Sequence, residues 1–262
     1  MDQALDFHSA KALLEWQVEL GADEAIGDLP LNRFELAEAA PKPSAKPVPT
    51  PAAAPKPIAA EADVVAEARQ MAGAADDLDA LKAAMAAYPH CELQRGARNL
   101  VFSDGVPGAR VMIIGEAPGR DEDIQGKPFV GRAGQLLDKM FDAIGMGRDR
   151  DGDNALYITN ILPWRPPQNR DPSAEEMAMM LPFVKRHVEL AAPEVLVLMG
   201  NISCLGILGR KGITRMRGHW TEGLGKPVLP MFHPAYLLRN PIMKRETWAD
   251  LLSLQARLGG GG

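Results

Sequence analysis

"VMIIGEAPGRDEDIQGKPFVGRAGQLLDKM", Val111–Met140, decides the fold. It opens on an apolar, branched run of strand length and closes on a segment with helical spacing. Between the two lies a loop of glycines, prolines, acids and one phenylalanine, Phe129. Three further runs have the same strand character: "ALYITNI", "EVLVLMGN" and "KPVLPMFHP", each ending at Gly, Asn or Pro. Helical stretches separate them: "GRAGQLLDKMFDAIG", "SAEEMAMMLPFVKRHVELA" and "NISCLGILGRKG". Strands alternating with helices imply right-handed crossovers. The expected fold class is therefore α/β: three layers, α/β/α, around a mainly parallel central sheet, with an N-terminal helical appendage.

Such sheets bind ligands beyond the carboxyl ends of their strands. That rule selects Gly115–Gly119, Asn160–Asn169, Gly200–Asn201 and His233–Ala235. "GEAPG" lets the backbone approach a ligand closely and supplies Glu116 as an acid, base or acceptor. Neither a GxGxxG fingerprint nor a Walker-type phosphate loop is present. Phe129 is either core or a stacking face for a planar ligand. Asn160 ends its strand with an amide that both donates and accepts. His233 precedes Pro234, whose ring confines it to extended geometry. Together an aromatic face, an amide and an imidazole suit a planar heterocycle with carbonyl and N–H edges.

Working outward, the charge is uneven. Residues 1–88 carry 7 Lys+Arg against 15 Asp+Glu, a net of −8; residues 210–262 carry 9 against 3, a net of +6. A basic C-terminal segment suits a face that meets polyanion, although a solvated charged surface has the same composition. Next to such a surface, a nucleobase is the natural planar heterocycle for these three groups. The only cysteines, Cys91 and Cys204, are too few for a disulfide framework. No apolar run reaches membrane-spanning length and no basic-then-apolar leader opens the chain, so a cytoplasmic, nucleoid-associated protein is expected.

The remaining organisation follows composition. Residues 1–39 form an acidic helical segment, with helical spacing over 9–20. Residues 40–60, "APKPSAKPVPTPAAAPKPIAA", form a Pro/Ala-rich linker. Residues 61–88 are a helical lead-in, 89–258 the main domain and 259–262 a glycine tail. The N-terminal segment is a candidate recruiter of a replication or repair partner, against the plainer reading of a passive tail. A monomer is the default.

"GEAPGRDEDIQGKPFVGRAGQLLD", "YITNILPWRPPQNRDP" and "HPAYLLR" closely resemble the family 4 uracil-DNA glycosylases, in order and spacing, over about residues 88–258. The resemblance implies an enzyme that flips uracil out of DNA, hydrolyses its N-glycosidic bond and leaves an abasic site. It implies that Phe129 stacks on the uracil, Asn160 reads its edge and His233 donates to the 2-carbonyl. Glu116 is then the second catalytic residue, with Ala117 and Glu122 lining the base pocket. Ala117 stands where another branch of the superfamily has a water-activating aspartate. Arg132, Asn169, Arg170, Tyr236, Leu237, Leu238 and Arg239 form the DNA-contacting set, with Tyr236–Arg239 the candidate wedge for the gap left by the flipped base.

One departure is plain. The family's four cysteines bind an iron–sulfur cluster, and here their positions hold Tyr88, Cys91, Trp164 and Met180. A single thiolate cannot hold such a cluster, so no cofactor and no metal ligand are expected. A branch that traps uracil-DNA through a histidine in an inserted basic loop is disfavoured, because "RPPQNRDPS" contains none. The competing reading is a module that binds uracil or abasic DNA without turnover.

Overall fold

A computed structural model of the chain describes residues 59–259. The helix expected over 9–20 and nearly all of the linker lie outside the described residues. One mixed sheet contains β1 (Asp104–Gly105), β2 (Val111–Gly115), β3 (Leu156–Asn160), β4 (Val195–Met199), β5 (Thr221–Gly223) and β6 (Lys226–Met231), in the order β1-β3-β2-β4-β6-β5. The four longer strands are the four apolar runs of the sequence, and all pair in parallel. β1 and β5 were not foreseen. They are antiparallel edge strands of two and three residues, too short to show a period. Short edges of this kind blunt the sheet against pairing with another chain.

The long strands read as continuous apolar runs because both faces are covered. Alternate residues point to opposite sides. Met112, Ile114, Tyr157, Leu196, Leu198 and Val228 enter one core, and Val111, Ile113, Leu156, Ile158, Val197 and Leu229 enter the other. The first core is closed by α1 (Ala59–Gly73), α2 (Leu78–Ala87) and, after the one-turn α3 (Leu93–Gly96), by Met180, Phe183, Val184 and Val188 from a later helix. The second takes Leu137 and Phe141 from the helix at Arg132–Asp142 and Leu251 and Leu254 from the helix at Lys244–Gly259. Full burial of each such side chain contributes about 1.5–3 kcal/mol.

Past β2 the chain makes two helices where one was expected: α4 (Arg120–Gln125) and α5 (Arg132–Asp142). Gly126, at φ +71°, ends the first and frees the loop that carries Phe129. After β3 comes α6 (Ala174–Ala191), started by a capping box. There the Ser173 hydroxyl accepts from the Glu176 N–H and the Glu176 carboxylate accepts from the Ser173 N–H. The remaining helices are α7 (Gly200–Leu208), α8 (Ile213–Met216), α9 (Pro234–Arg239) and α10 (Lys244–Gly259). Among the described residues no helix is long and apolar enough to cross a membrane.

Candidate active site

The carboxyl ends of β2, β3 and β6 open into one cavity of about 440 Å³. Parallel pairing brings them level: Gly115, the last residue of β2, lies in register with Asn160, the last residue of β3. Gly115 is required there. A Cβ at that position would lie 2.3 Å from the Asn160 side-chain oxygen and 2.6 Å from the Phe129 ring. The missing side chain is what allows the amide and the phenyl ring to share one wall.

His233 stands opposite, in extended backbone (φ −64°, ψ 135°) as Pro234 requires. Its ring lies 5.4 Å from that of Phe129, centroid to centroid, with 29° between the planes. Nδ1 of His233 accepts the Ala235 N–H at 3.2 Å at the start of α9. An accepting Nδ1 carries no proton, so in the neutral ring the N–H is at Nε2. Enclosure by protein, with the cation of Arg239 adding to it, pushes the imidazole pKa down to about 4. At neutral pH His233 is therefore an uncharged donor through Nε2.

Glu116 has the opposite perturbation. Burial, then the nearby charge of Asp171, raises its carboxyl to about 6, with Lys211 pulling the other way. Asp171 lines the same cavity and was not singled out from the sequence. Its signal is coupling between two strand ends, which linear spacing does not display.

Of the residues named from sequence, Glu116, Ala117, Glu122, Phe129, Asn160, Asn169, Arg170, His233, Tyr236 and Arg239 all line this cavity. Several have other partners as well. Glu122 accepts the N–H groups of Val130 at 2.9 Å, Gly131 at 2.8 Å and Gly119 at 3.1 Å, so its carboxylate is occupied by backbone. Asn169, in left-handed backbone at φ +54°, accepts from Arg165 Nε at 2.8 Å. Arg170 grips Glu176 with two donors, at 2.9 and 2.6 Å.

Three residues fall outside the cavity lining. Arg132 is exposed at the first position of α5. Leu238 is exposed on α9. Leu237 is a correction: it is wholly buried in the core beneath α9, so its side chain is not available to DNA. The i to i+1 step on a helix turns about 100°, which is why neighbours within "YLLR" separate into core and surface. The end of β4 also departs from expectation. Asn201 accepts from the N–H groups of Gly212 and Ile213 at the start of α8, and only Gly200 approaches the site, behind His233.

The positions of the family's cluster cysteines do not fit an iron–sulfur cluster here. Tyr88, Cys91, Trp164 and Met180 are all buried in the same apolar core. The Tyr88 hydroxyl donates to the Val64 carbonyl at 2.9 Å, and its ring meets Phe183 edge-on at 5.4 Å. Burial pushes the Cys91 thiol up to about 11, against the thiolate that iron requires. Among the described residues no group of three or more His, Cys, Asp or Glu side chains is arranged to hold a metal ion.

Comparison with known proteins agrees with this geometry. The family model for the uracil DNA glycosylase superfamily matches residues 102–252. The chain is 36% identical over 179 residues to a type-4 uracil-DNA glycosylase of Sulfurisphaera tokodaii, covering 65% of this chain and 80% of that protein. It is 40% identical over 153 residues to the type-4 enzyme of Thermotoga maritima, covering 57% and 77%. Against that of Archaeoglobus fulgidus it is 36% identical over 184 residues, covering 67% and 90%. The matched span contains β1 to β6 and every residue of the cavity. By fold, site and sequence, the chain belongs to the uracil DNA glycosylase superfamily.

Proposed function

We propose that this chain is a monofunctional uracil-DNA glycosylase, acting in base excision repair without an iron–sulfur cluster. The observation that carries the reading is one cavity lined by the Phe129 ring, the Asn160 amide and the His233 imidazole, whose Nδ1 is taken by the Ala235 N–H so that Nε2 carries the proton. Uracil in duplex DNA must leave the stack to enter the cavity. Phe129 then offers its face to the base. The Asn160 amide accepts from the uracil ring N–H and donates to the 4-carbonyl, a pattern that cytosine reverses. His233 donates to the 2-carbonyl.

Cleavage of the glycosidic bond leaves negative charge on the base and positive charge on the sugar. A fixed donor at the 2-carbonyl stabilises the departing anion more than the neutral base, which is the requirement for catalysis. A neutral imidazole suffices, because what develops is a charge on oxygen rather than a proton demand. Glu116, ionised above about pH 6, faces the sugar cation with Asp171 beside it. A water molecule then completes hydrolysis and leaves the abasic site. Arg239, Tyr236 and Leu238 on α9 stand at the rim, where DNA phosphates and the vacated stack would meet the protein.

Support for a cluster-free enzyme comes from the packed corner of Tyr88, Trp164 and Met180, which holds the place of three thiolates with apolar volume. In the same reading the chain works as a monomer, and residues 1–60 recruit a repair or replication partner without taking part in catalysis. The test is excision from an oligonucleotide carrying one uracil. Release of free uracil with an alkali-sensitive site left behind supports the enzyme; uracil-dependent binding without release would leave a sensor. Deletion of residues 1–60 should leave the rate on short DNA unchanged.

A further inference from the structure

Phe129 holds its ring in the cavity from a backbone conformation that an aromatic residue rarely adopts, φ +53°. Left-handed backbone at a bulky residue is strained and persists only where its surroundings fix it. A residue's φ and ψ are set by the two peptide planes on either side of its Cα. Both planes are held here. Arg148 donates from Nη1 to the Pro128 carbonyl at 2.9 Å and from Nη2 to the Phe129 carbonyl at 2.8 Å. The Val130 N–H, on the far end of the second plane, goes to Glu122 at 2.9 Å.

Arg148 is itself locked. Its Nη1 donates to Asp104 at 2.9 Å, and its Nε donates to Asp138 at 2.9 Å. Only 14% of its side chain is exposed. Asp104 reaches it from the unforeseen edge strand β1, and Gly105 lets β1 lie against β3: a Cβ there would come within 2.1 Å of the Leu156 carbonyl. Arg148 does not line the cavity.

We propose that Arg148 is a positioning residue, whose guanidinium fixes the two carbonyls flanking Phe129 and so aims the phenyl platform at the base. The inference rests on the reading of the cavity as a uracil pocket. Lysine cannot replace it, since one ammonium cannot serve two carbonyls and two carboxylates in the planar fork that arginine provides.

The test measures single-turnover uracil release from a single-uracil oligonucleotide by the full-length protein, for wild type, Arg148→Ala, Arg148→Lys, Phe129→Ala and the double variant Phe129→Ala/Arg148→Ala. Hydrogen exchange of the Val130 and Gly131 amides is measured alongside. Both Arg148 variants should slow release by about tenfold to a hundredfold with DNA affinity unchanged. The double variant should be no slower than Phe129→Ala alone, because residues acting through one another are not additive. Exchange at Val130 and Gly131 should accelerate. Wild-type rates in either Arg148 variant, or penalties that multiply in the double variant, would overturn the proposal. Should Arg148→Ala fail to fold, Arg148→Lys carries the test. Should wild type release no uracil, the uracil reading falls by itself, and unchanged amide exchange in Arg148→Lys would then sink the clamp separately.

Discussion

The rings of Phe129 and His233 lie 5.4 Å apart, centroid to centroid, in the lining of one cavity, one reaching from the loop before α5 and the other from just past the end of β6. They come from segments about a hundred residues apart, and each is held by bonds to other groups rather than by the other ring. Phe129 is held through its flanking carbonyls, and His233 through the Ala235 N–H. The site is thus organised before any ligand arrives, which is what electrostatic stabilisation of a transition state requires.

His233→Ala removes the Nε2–H donor and leaves the platform in place. The expected loss is about 2–4 kcal/mol of transition-state stabilisation, with little change in affinity for DNA. Single-turnover kinetics beside a binding titration separates the two. Equal losses in both would take the donor role away from His233.

Asn160→Asp replaces a donor–acceptor amide by a carboxylate that only accepts. It should weaken excision of uracil and relax the discrimination against cytosine. Competing oligonucleotides carrying uracil or cytosine read this directly, and an unchanged preference would remove Asn160 from edge reading.

The rate should rise with pH through about 6 as Glu116 ionises, and Glu116→Gln should abolish that rise. His233, held near 4, adds no titration above pH 5. The effect on stability has the opposite sign. A carboxyl raised from 4.5 to about 6 binds protons more tightly in the folded state. Folding therefore loses stability as pH rises from about 4.5 to 6. Glu116→Gln should raise Tm above pH 6, with the gain fading as pH falls from about 6 to 4.5 and gone below that.

Trp164→Ala opens a void where the family holds its cluster. A buried Trp truncated to Ala costs about 3–5 kcal/mol, so denaturant midpoints should fall accordingly. An iron chelator should leave wild-type stability and rate unchanged. Loss of stability on chelation would show that this corner depends on metal.

Much of the fold was legible because β2, β3, β4 and β6 are apolar on both faces and end at turn residues. The edge strands were not, since Asp104–Gly105 is held by a close backbone approach rather than by a pattern. At the site, Phe129, Asn160 and His233 were legible from their motifs and are brought together as the strand-end rule implies. The surroundings were hidden. Arg148 and Asp171 meet residues from distant segments, Leu237 turns inward on a helix one residue from an exposed Leu238, and the Glu122 carboxylate holds backbone. Contacts between distant segments leave no period and no local motif to find.

The most direct measurement is uracil release from a labelled single-uracil oligonucleotide by protein whose iron content has been assayed in the same sample. Free uracil and an alkali-sensitive abasic site are expected from a colourless, iron-free preparation. Iron-dependent release, or tight uracil-specific binding with no release at all, would contradict it.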